Sequence, residues 1–450
     1  MGSITTSLLN STGALEGYGR VFNTIQNNIT NAHTPGYVRQ DQTLTPAPGP
    51  AGGVSVGPLL SARSLYSEQA VRGAQQRFGA AQQKAGDLTQ VQSLFDTTGK
   101  TAVPGALSKF FNAVTQWSVN PGHEVSRQAV LDSADEAAQA FRANASGIAE
   151  ASARADAQTS AAVQQANDYI QQIADINRQV RAGSPTQTDP GLDAQAHAAL
   201  EQLAAIIPFS AVKTQDGSFS LYLGGQKPLV VGDHTFPIAA DFSGGPTVIR
   251  DEQGHDITPA FNGQTGQLGA LIEEKNTTLP GYQADLNTLA QKFADSVNTT
   301  LGGGLDKNGN PPTTNLFTYN ATQGTAYTLN VNPLTTSDLA GAAVGAPGGN
   351  GNILALGGLA QQKLVNGSTL NDAYGNLGGK VGHDLAKAKL QQSTGEDLVN
   401  QARSQRDSIS GVSLDEEAAK LIQFQQSYQA VAQFITVMRT LTDTIMGIAR

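Results

Sequence analysis

Both ends of the chain carry apolar side chains at alternating steps of three and four residues, which is the spacing of one face of an α-helix. Polar Ser11 interrupts the first stripe and Thr442 the second, while Glu416, Glu417 and Gln433 fall off the second stripe. Such amphipathic helices need an apolar partner, so each terminus is predicted to form an assembly seam. The predicted seam consists of Ile4, Leu8, Leu15, Tyr18, Phe22, Ile25 and Ile29 at the start, and of Leu421, Phe424, Tyr428, Val431, Ile435, Met438 and Ile445 at the end.

Neither terminal helix is expected to be stable alone. Burying one apolar stripe stabilises a helix of this length by less than the conformational entropy that is lost on ordering it. Gly13, Gly17 and Gly19 weaken the first helix further, although they permit close backbone approach. We therefore predict that both ends are disordered in the free monomer and fold on assembly. The alternative is that the two helices pack on the body of the same chain.

A helix-termination signal follows the first apolar stripe, in the segment NNITNAHTPGYVR at residues 27–39. Pro35 biases Thr34 away from the helical region, Gly36 allows a positive φ, and Asn31 suits a helix end. The segment therefore predicts that the first helix ends close to Asn31. The residues of this motif are Asn27, Asn28, Ile29, Asn31, Thr34, Pro35, Gly36, Tyr37 and Arg39.

The motif resembles that of the axial proteins of the bacterial flagellum, whose rod, hook and hook-associated members share an N-terminal helix that ends in NNI-x-N-x-x-TPGY-x-R. Within that group, residues 411–430 (GVSLDEEAAKLIQFQQSYQA) resemble the family of hook-associated protein 1, FlgK, the hook–filament junction proteins. Residues 104–141 and 266–298 extend the resemblance to nearly the whole chain. Two features depart from the family: residues 193–198 read DAQAHA where relatives tend to read LLDQRD, and the central insertions are shorter.

The resemblance implies a structural protein and not an enzyme: a subunit that forms the junction ring between hook and filament by polymerising through its terminal helices. The implied partners are further copies of the chain, the hook protein, the second junction protein and an export chaperone on the C-terminal segment. The resemblance also implies type III export without a cleaved signal peptide, and a location in the extracellular flagellum. The alternatives are another axial protein, such as a hook or distal-rod subunit, and a secreted enzyme with helical tails.

Between the two stripes, the sequence predicts a mainly α fold with inserted β structure. A segment rich in Pro and Gly, residues 46–57, is predicted to be a hinge or an extended arm. Turn signals such as Gln215-Asp216-Gly217 predict short strands after a long Ala-rich helical region. The expected parts are a terminal coiled-coil core domain in which the two terminal helices pair (1–45 plus 411–450), a helical bundle (58–206 plus 266–302 plus 380–410), a small outer β domain (207–265), and a Gly/Asn-rich region of irregular β structure and loops (303–379), with the last helical run before the C-terminal seam starting near residue 385.

Composition and motifs argue against catalysis and against nucleic-acid or membrane partners. The net charge is −9 and Lys and Arg form no cluster, so neither nucleic acid nor an anionic membrane is an expected partner. No stretch is long and apolar enough to span a bilayer, the first thirty residues do not form a Sec-type signal, and cysteine is absent.

The GKT at residues 99–101 lacks the leading glycine of a P-loop, and Phe317 stands where a calcium-binding loop starting at Asp306 would need Glu. The six histidines are scattered. We therefore predict no catalytic, cofactor or metal site.

Overall fold

Helices form most of the chain, and the longest of them follow the apolar periodicity of the sequence. The computed structural model describes residues 2–47, 52–183 and 189–448. Part of the predicted hinge, residues 48–51, lies outside this set. A π-helical turn, Glu274–Thr278, joins the sixth helix to the seventh. The α-helices are α1 (Gly2–Asn31), α2 (Leu65–Gln92), α3 (Val103–Val119), α4 (Glu124–Arg181), α5 (Pro190–Ile206), α6 (Gln267–Glu273), α7 (Leu279–Gly302), α8 (Thr325–Thr328), α9 (Gly351–Gly358), α10 (Leu370–Ser410) and α11 (Leu414–Ile448).

The strands are short and lie between the helices as the turn signals predict. The first two form an antiparallel hairpin next to α1, and strands three to six form an antiparallel meander in chain order. The predicted turn at Gly217 has a positive φ of 88°. The strands are β1 (Gln40–Pro46), β2 (Val54–Ser61), β3 (Ser210–Lys213), β4 (Phe219–Leu223), β5 (Lys227–Val231), β6 (His234–Thr235), β7 (Ala239–Asp241), β8 (Val248–Arg250), β9 (Gly304–Leu305), β10 (Phe317–Thr318), β11 (Asn330–Val331) and β12 (Ala342–Ala343). The predicted fold class, mainly α with inserted β, is confirmed.

Two hydrophobic cores lie along α4, a helix of 58 residues. The first core surrounds Phe293, whose ring packs against Phe110 at a centroid distance of 5.4 Å and against Phe141 at 6.0 Å. On α4 this core extends to Ala151, and the second core begins at Ala162. The second core joins the C-terminal half of α4 to α5, to α6 and to the strands β4, β5 and β8. One helix therefore connects the bundle to the inserted β structure.

A polar layer separates the two cores where α2, α4 and the π-helical turn meet. Gln83 Nε2 donates to Asp87 Oδ2 at 2.6 Å and to Gln158 Oε1 at 3.1 Å. The carboxyl groups of Asp87 and Glu274 are both buried here. Burial, the hydrogen bond with Asp87 and the charge of Asp87 raise the pKa of Glu274 to about 9, against an opposing effect of Arg154. Burial next to Asp87 therefore favours the protonated form of Glu274.

Five asparagines on helical segments attach strands to the bundle by the same geometry. In each, the side-chain Nδ2 donates to a backbone carbonyl and Oδ1 accepts from the backbone N–H of that same residue, at 2.8–3.0 Å. The bonded residue begins a strand or directly precedes one, so the carboxamide satisfies backbone groups that a neighbouring strand would otherwise bind. We call these contacts asparagine clamps; they join Asn28 to Gln40, Asn167 to Ile238, Asn177 to Phe219, Asn276 to Thr247, and Asn298 to Phe317.

Helix α10, the last long helix before α11, begins earlier than the sequence predicts, at Leu370 and not near residue 385. The Thr369 side chain caps it by accepting from the N–H of Asp372 at 3.2 Å. Glycines in this stretch suggest a loop, but Gly378 lies where a Cβ would be 3.0 Å from a side-chain carbon of Thr97. The small residue therefore admits a close approach between this helix and the segment after α2.

The region 303–379 is less separate from the bundle than expected. Its short strands and turns are as irregular as predicted, yet Leu316, Phe317 and Leu329 are buried in the first core. In the same way, Leu221 and Val230 of the β region are buried in the second core with α4 and α5. The division of the chain into four parts stays a prediction about folding units.

The terminal segments differ from the disorder expected of the free chain, since α1 and α11 are both helical and contact each other. The expectation considered each helix alone. In the structure, each helix covers part of the apolar stripe of the other, and α1 is covered in addition by the β1–β2 hairpin. The two helices therefore pack mainly on each other and on the hairpin, as the predicted pairing of the terminal helices requires, and their folding on assembly stays a prediction.

The polar layer predicts a pH dependence of stability. A carboxyl whose pKa is higher in the folded chain than in the unfolded chain binds a proton preferentially in the folded state, so the free energy of unfolding should fall as the pH rises from about 4.5 to about 9. The slope from one such group is at most about 1.4 kcal/mol per pH unit. We expect Glu274→Gln to remove this slope and to be more stable than the parent at pH 8, as measured by urea unfolding between pH 5 and pH 9.

The matched control is Glu273→Gln, which changes the neighbouring, half-exposed carboxylate that pairs with Lys84. This control should keep the slope of the parent chain. Equal slopes for the parent and Glu274→Gln would show that Glu274 is ionised in the folded protein.

Candidate functional site

The two predicted seams meet each other through aromatic side chains. Tyr18 packs against Phe424 at a ring-centroid distance of 5.9 Å, and Phe22 packs against Tyr428 at 6.0 Å. The end of α1 meets the start of α11, so the helices run antiparallel. Aromatic pairs in these tilted and edge-on arrangements stabilise a contact by about 1 kcal/mol beyond the area they bury.

The seam residues are only partly covered by this pairing. On α1, Ile25 is buried and Ile29 is exposed; on α11, no seam residue is fully buried. A large part of the apolar surface predicted as an assembly seam is therefore still open to solvent. The half-buried members are Ile4, Leu8, Leu15, Tyr18, Phe22, Phe424, Val431, Ile435 and Met438, and the exposed members on α11 are Leu421, Tyr428 and Ile445.

A second face of α1, which the sequence analysis did not single out, packs on the hairpin. Ala14 and Val21 are buried there, and a Cβ added to Gly17 would lie 3.3 Å from Leu44 and 3.5 Å from Val56. Gly17 therefore lets the helix backbone approach the hairpin closely. The alternation of small and branched residues on this face was the available signal.

A second apolar stripe on α11 was also missed. Its residues recur at helical spacing and are exposed although α1 and α11 are paired: Val437 is 58% exposed and Ile448 is 81% exposed. An exposed row of large apolar side chains is a candidate interaction surface. This outer stripe consists of Phe434, Val437, Leu441 and Ile448, and it lies next to the exposed seam residue Ile445.

Asn28 of the motif holds three segments together through one fully buried carboxamide. Its Nδ2 donates to the carbonyl of Gln40 at 2.8 Å and to the carboxylate of Glu417 at 2.9 Å. Its Oδ1 accepts from the N–H of Gln40 at 2.9 Å and from the hydroxyl of Tyr37 at 2.9 Å. Both donors and both lone pairs of the carboxamide are used. The end of α1, the start of β1 and the start of α11 are therefore fixed at one point.

Glu417 is buried, whereas the sequence analysis placed it on the polar face of α11. It is 0% exposed, and its second oxygen accepts from Lys420 at 3.0 Å. Burial, together with the charge of Glu417, raises the pKa of Tyr37 to about 12. Tyr37 therefore stays protonated at physiological pH and remains a donor to Asn28. The helical spacing of Glu417 alone gave no signal of its burial.

Gly36 connects the motif to the body of the protein. Its φ is +77°, and a Cβ would lie 2.5 Å from the carbonyl oxygen of Ala194 on α5, so only glycine fits. Its carbonyl accepts from Arg63 Nη2 at 2.6 Å. The buried Arg63 guanidinium also pairs with Asp193 at 2.6 Å and with Glu68. We call this cluster of Gly36, Arg63, Glu68 and Asp193 the joint.

Ion pairs on the protein surface also connect β1 to the start of α11. Arg39 lies 3.3 Å from Asp41 and 3.2 Å from Glu416, and Lys420 lies 2.9 Å from Asp41. The backbone N–H of Arg39 also donates to the carbonyl of Ser410 at 2.9 Å. Exposed pairs of this kind contribute little individually. Their effect is to align β1 with the start of α11.

The motif residues thus divide into those that hold the structure and those on its surface. Asn31 ends α1, where its Oδ1 accepts from the Thr34 hydroxyl at 3.2 Å. Asn28 is buried, Asn31, Gly36, Tyr37 and Arg39 are half-buried, and Asn27, Ile29, Thr34 and Pro35 are exposed.

The segment considered as a calcium-binding loop is a turn. Asp306 Oδ1 accepts from the backbone N–H groups of Asn308 and Asn310, each at 2.8 Å, which is a turn. Within the described ranges, no three metal-ligating side chains cluster. No described helix is long and apolar enough to cross a membrane.

Comparison with known proteins identifies the family. The family model for the flagellar hook-associated protein FlgK helical domain matches residues 88–317, just over half of the chain. The chain belongs to the FlgK family of flagellar hook-associated proteins. A second family model, flagellar basal body rod FlgEFG protein C-terminal, matches residues 403–448 at the end of α10 and in α11. The resemblance stated from the sequence is confirmed, and the chain is a component of the bacterial flagellum.

Relatives of this FlgK-family chain match it over nearly its full length. Flagellar hook-associated protein 1 of Bacillus subtilis is 23% identical over 96% of the chain and 96% of the relative. Flagellar hook-associated protein 1 of Salmonella typhimurium is 23% identical over 98% of the chain and 100% of the relative. The solved structure of the flagellar hook junction protein FlgK from Burkholderia pseudomallei has a TM-score of 0.69 at 16% identity, over 76% of the chain and all of that structure. This structural similarity shows that the two proteins share a fold.

The segment that departs from the family pattern, residues 193–198, lies in the joint. Asp193 pairs with Arg63, and His197 lies between Glu68 at 3.6 Å and Asp193 at 3.9 Å. Burial lowers the pKa of His197, so the ring is neutral at pH 7. Asp193 is therefore part of the joint, and His197 lies next to it.

Asn28→Ala tests whether the motif holds the terminal segments. The change leaves the buried N–H and C=O of Gln40 without their partner, which should destabilise the terminal region by about 3 kcal/mol. Hydrogen exchange read by mass spectrometry should show faster exchange in α1, β1 and the start of α11, with unchanged exchange in α3 and α7. Asn27→Ala removes an exposed side chain of the same type and should leave exchange unchanged. Unaltered exchange in the Asn28 variant would contradict the structural role of this residue.

Proposed function

We propose that this chain is the structural subunit that joins hook to filament, and that it polymerises into a junction ring through its terminal helices. The observation that carries the proposal is the outer stripe of α11, which stays exposed after α1 and α11 have paired. Burying apolar surface between neighbouring subunits is favourable by about 25 cal/mol per Å². Copies of the chain carry matching α1 and α11 helices, so further terminal helices are the natural cover for this stripe.

The proposal assigns different tasks to the two ends and to the body. The Asn28 contacts and the joint hold the paired helices against the body, and this fixes the direction in which the outer stripe faces. The seam residues that are half-buried within one chain can gain further burial from a neighbour. Polymerisation then depends on local concentration, as for any association that is driven by surface burial.

The proposed partners follow from the family and from the position of the exposed surface. The hook protein and the second junction protein contact the ring at its two ends, and an export chaperone covers the C-terminal segment before assembly. The subunit leaves the cell by type III export, without a cleaved signal peptide, and acts outside it. The net charge of −9 supports the absence of nucleic acid and anionic membrane as partners. We propose no enzymatic activity.

Another axial role, in the hook or the distal rod, is the alternative. The match at residues 403–448 carries the name of rod proteins and so does not separate the two roles. The match at residues 88–317, which includes Phe293 of the first core, is to the hook-associated helical domain and favours the junction.

A double substitution in the outer stripe, Val437→Glu with Leu441→Glu, tests the proposal. Both side chains are exposed, so the melting temperature of the purified monomer should stay within about 1 °C of the parent, because exposed substitutions change stability little. In a deletion strain, the variant should fail to restore filaments, and cells should carry bare hooks and release flagellin into the medium. Electron microscopy and an assay of flagellin in the medium give the two measurements.

The control is Gln433→Glu with Thr440→Glu, which adds the same charge at exposed polar positions of the same helix. It should restore filaments and motility. Normal filaments with the stripe variant would exclude the outer stripe as the polymerisation surface. A deletion strain that still forms complete filaments would exclude the junction role itself.

A further inference from the structure

His197 differs from the other histidines of the chain in its burial. The other five are exposed, whereas His197 is 3% exposed. It lies on α5, and its ring packs edge-on against Phe219 of β4 at a centroid distance of 5.2 Å. Neither ring nitrogen has a hydrogen-bond partner among the described residues. Buried polar atoms are nearly always hydrogen-bonded, so the surroundings of this ring require an explanation.

Two carboxylates of the joint face the ring, one at each nitrogen. Glu68 Oε2 lies 3.6 Å from Nδ1, and Asp193 Oδ1 lies 3.9 Å from Nε2. The other oxygen of each carboxylate binds Arg63: Glu68 Oε1 accepts from Nη1, and Asp193 Oδ2 accepts from Nε at 2.6 Å. The two carboxylates therefore lie between a permanent cation and a titratable ring. We call this arrangement of Arg63, Glu68, His197 and Asp193 the charged cycle.

A neutral ring leaves the charged cycle incomplete. A neutral imidazole has one N–H donor and one lone pair, so one of its nitrogens directs a lone pair toward a carboxylate oxygen. A protonated ring has an N–H at both positions. The distances of 3.6 and 3.9 Å exceed an ordinary N–H···O length by less than about 1 Å. A small movement of Glu68 and Asp193 toward the protonated ring would complete both hydrogen bonds.

Burial and the neighbouring cations oppose this protonation. Burial has the largest effect and lowers the pKa of His197; the charge of Arg63 acts in the same direction, whereas Glu68 and Asp193 raise it. The ring therefore gains its proton only on acidification. The further charged groups that act on the charged cycle from neighbouring elements are Lys213 on β3, Arg72 on α2, Arg406 on α10 and Glu201 on α5.

The charged cycle holds the terminal segments through Arg63. Arg63 Nη2 donates to the carbonyl of Gly36, which lies between α1 and β1, at 2.6 Å. The preceding residue, Ala62, donates its N–H to the Arg39 carbonyl at 2.9 Å and accepts from the Ser410 hydroxyl at 2.9 Å. A change in the partners of Arg63 therefore acts at the point where the terminal segments join the body.

We propose that His197 makes the joint sensitive to pH, because its protonated ring competes with Arg63 for Glu68 and Asp193. Each carboxylate that moves toward the ring moves away from the guanidinium that it binds at neutral pH. Arg63 then holds Gly36 less firmly, and the attachment of the terminal segments to the body loosens. Protonation of buried histidines is a known means of switching a contact within a protein. The inference does not rest on the proposed function.

Hydrogen exchange of the full chain tests the proposal, when it is read by mass spectrometry and corrected for the intrinsic pH dependence of exchange. Because His197 binds its proton less readily in the folded chain than in the unfolded one, acidification favours opening. Protection in α1, β1 and the start of α11 should fall on the order of tenfold between about pH 7 and about pH 5. Protection in α3 and α7, which lie in the first core, should stay the same.

His197→Gln carries no charge at either pH, so its terminal segments should show no such fall in protection. The control is His33→Gln, which removes an exposed histidine from the terminal segment itself and should respond as the parent does. A parent chain with equal terminal protection at both pH values would overturn the proposal. The same holds if His197→Gln keeps the full response of the parent.

The ring can also be observed in the parent chain, so the test does not depend on how well a variant folds. NMR of the chain labelled at histidine Cε1 should show six signals, and the contact with the Phe219 ring identifies that of His197. This signal should titrate below the value of about 6.5 that is usual for histidine, with the same midpoint as the fall in terminal protection. A His197 ring that stays neutral throughout that fall, or that titrates at or above the usual value, would contradict the proposal.

Discussion

The buried Asn28 carboxamide is the contact on which the arrangement of the chain ends depends. It satisfies the backbone of Gln40, accepts from Tyr37 and partly compensates the buried charge of Glu417. A carboxylate that is 0% exposed must have hydrogen-bond donors, since its desolvation would otherwise outweigh any packing gain. The start of α11 can therefore lie here only if the end of α1 is already in place, and residues far apart in sequence become one structural unit.

The Asn28 contact is one of five asparagine clamps, and together they explain how very short strands persist around a helical bundle. A two-stranded ribbon of two residues per strand, such as β10 with β11, is too small to be stable by itself. The helix side chain replaces a missing neighbouring strand by bonding both the N–H and the C=O of the residue at the strand entry. Asn298 does this for Phe317, whose ring then packs 4.9 Å from that of Phe293 in the first core. Local hydrogen bonding and core packing thus support each other.

Helices with regular apolar spacing could be predicted from sequence, because that spacing is local; the terminal stripes and the long α4 follow it. The burial of Glu417 could not be predicted, since it depends on Asn28, which is nearly four hundred positions away in the sequence. The start of α10 at Leu370 was missed because its glycines suggest a loop, although Gly378 allows close packing against Thr97. The outer stripe around Leu441 was missed for a different reason: two apolar stripes share α11, and sequence alone does not say which one faces α1.

Buried charged groups in the body of the protein are compensated, whereas the apolar surface at the C-terminal helix is not covered. Glu68 is paired with Arg63, burial next to Asp87 raises the pKa of Glu274 and so favours its neutral form, and Arg127 donates to the carbonyls of Pro121, Thr336 and Leu339. The outer stripe of α11, by contrast, has no apolar cover among the described residues. That surface would be covered only by contact with another molecule, which is the requirement that the proposed assembly through the terminal helices meets.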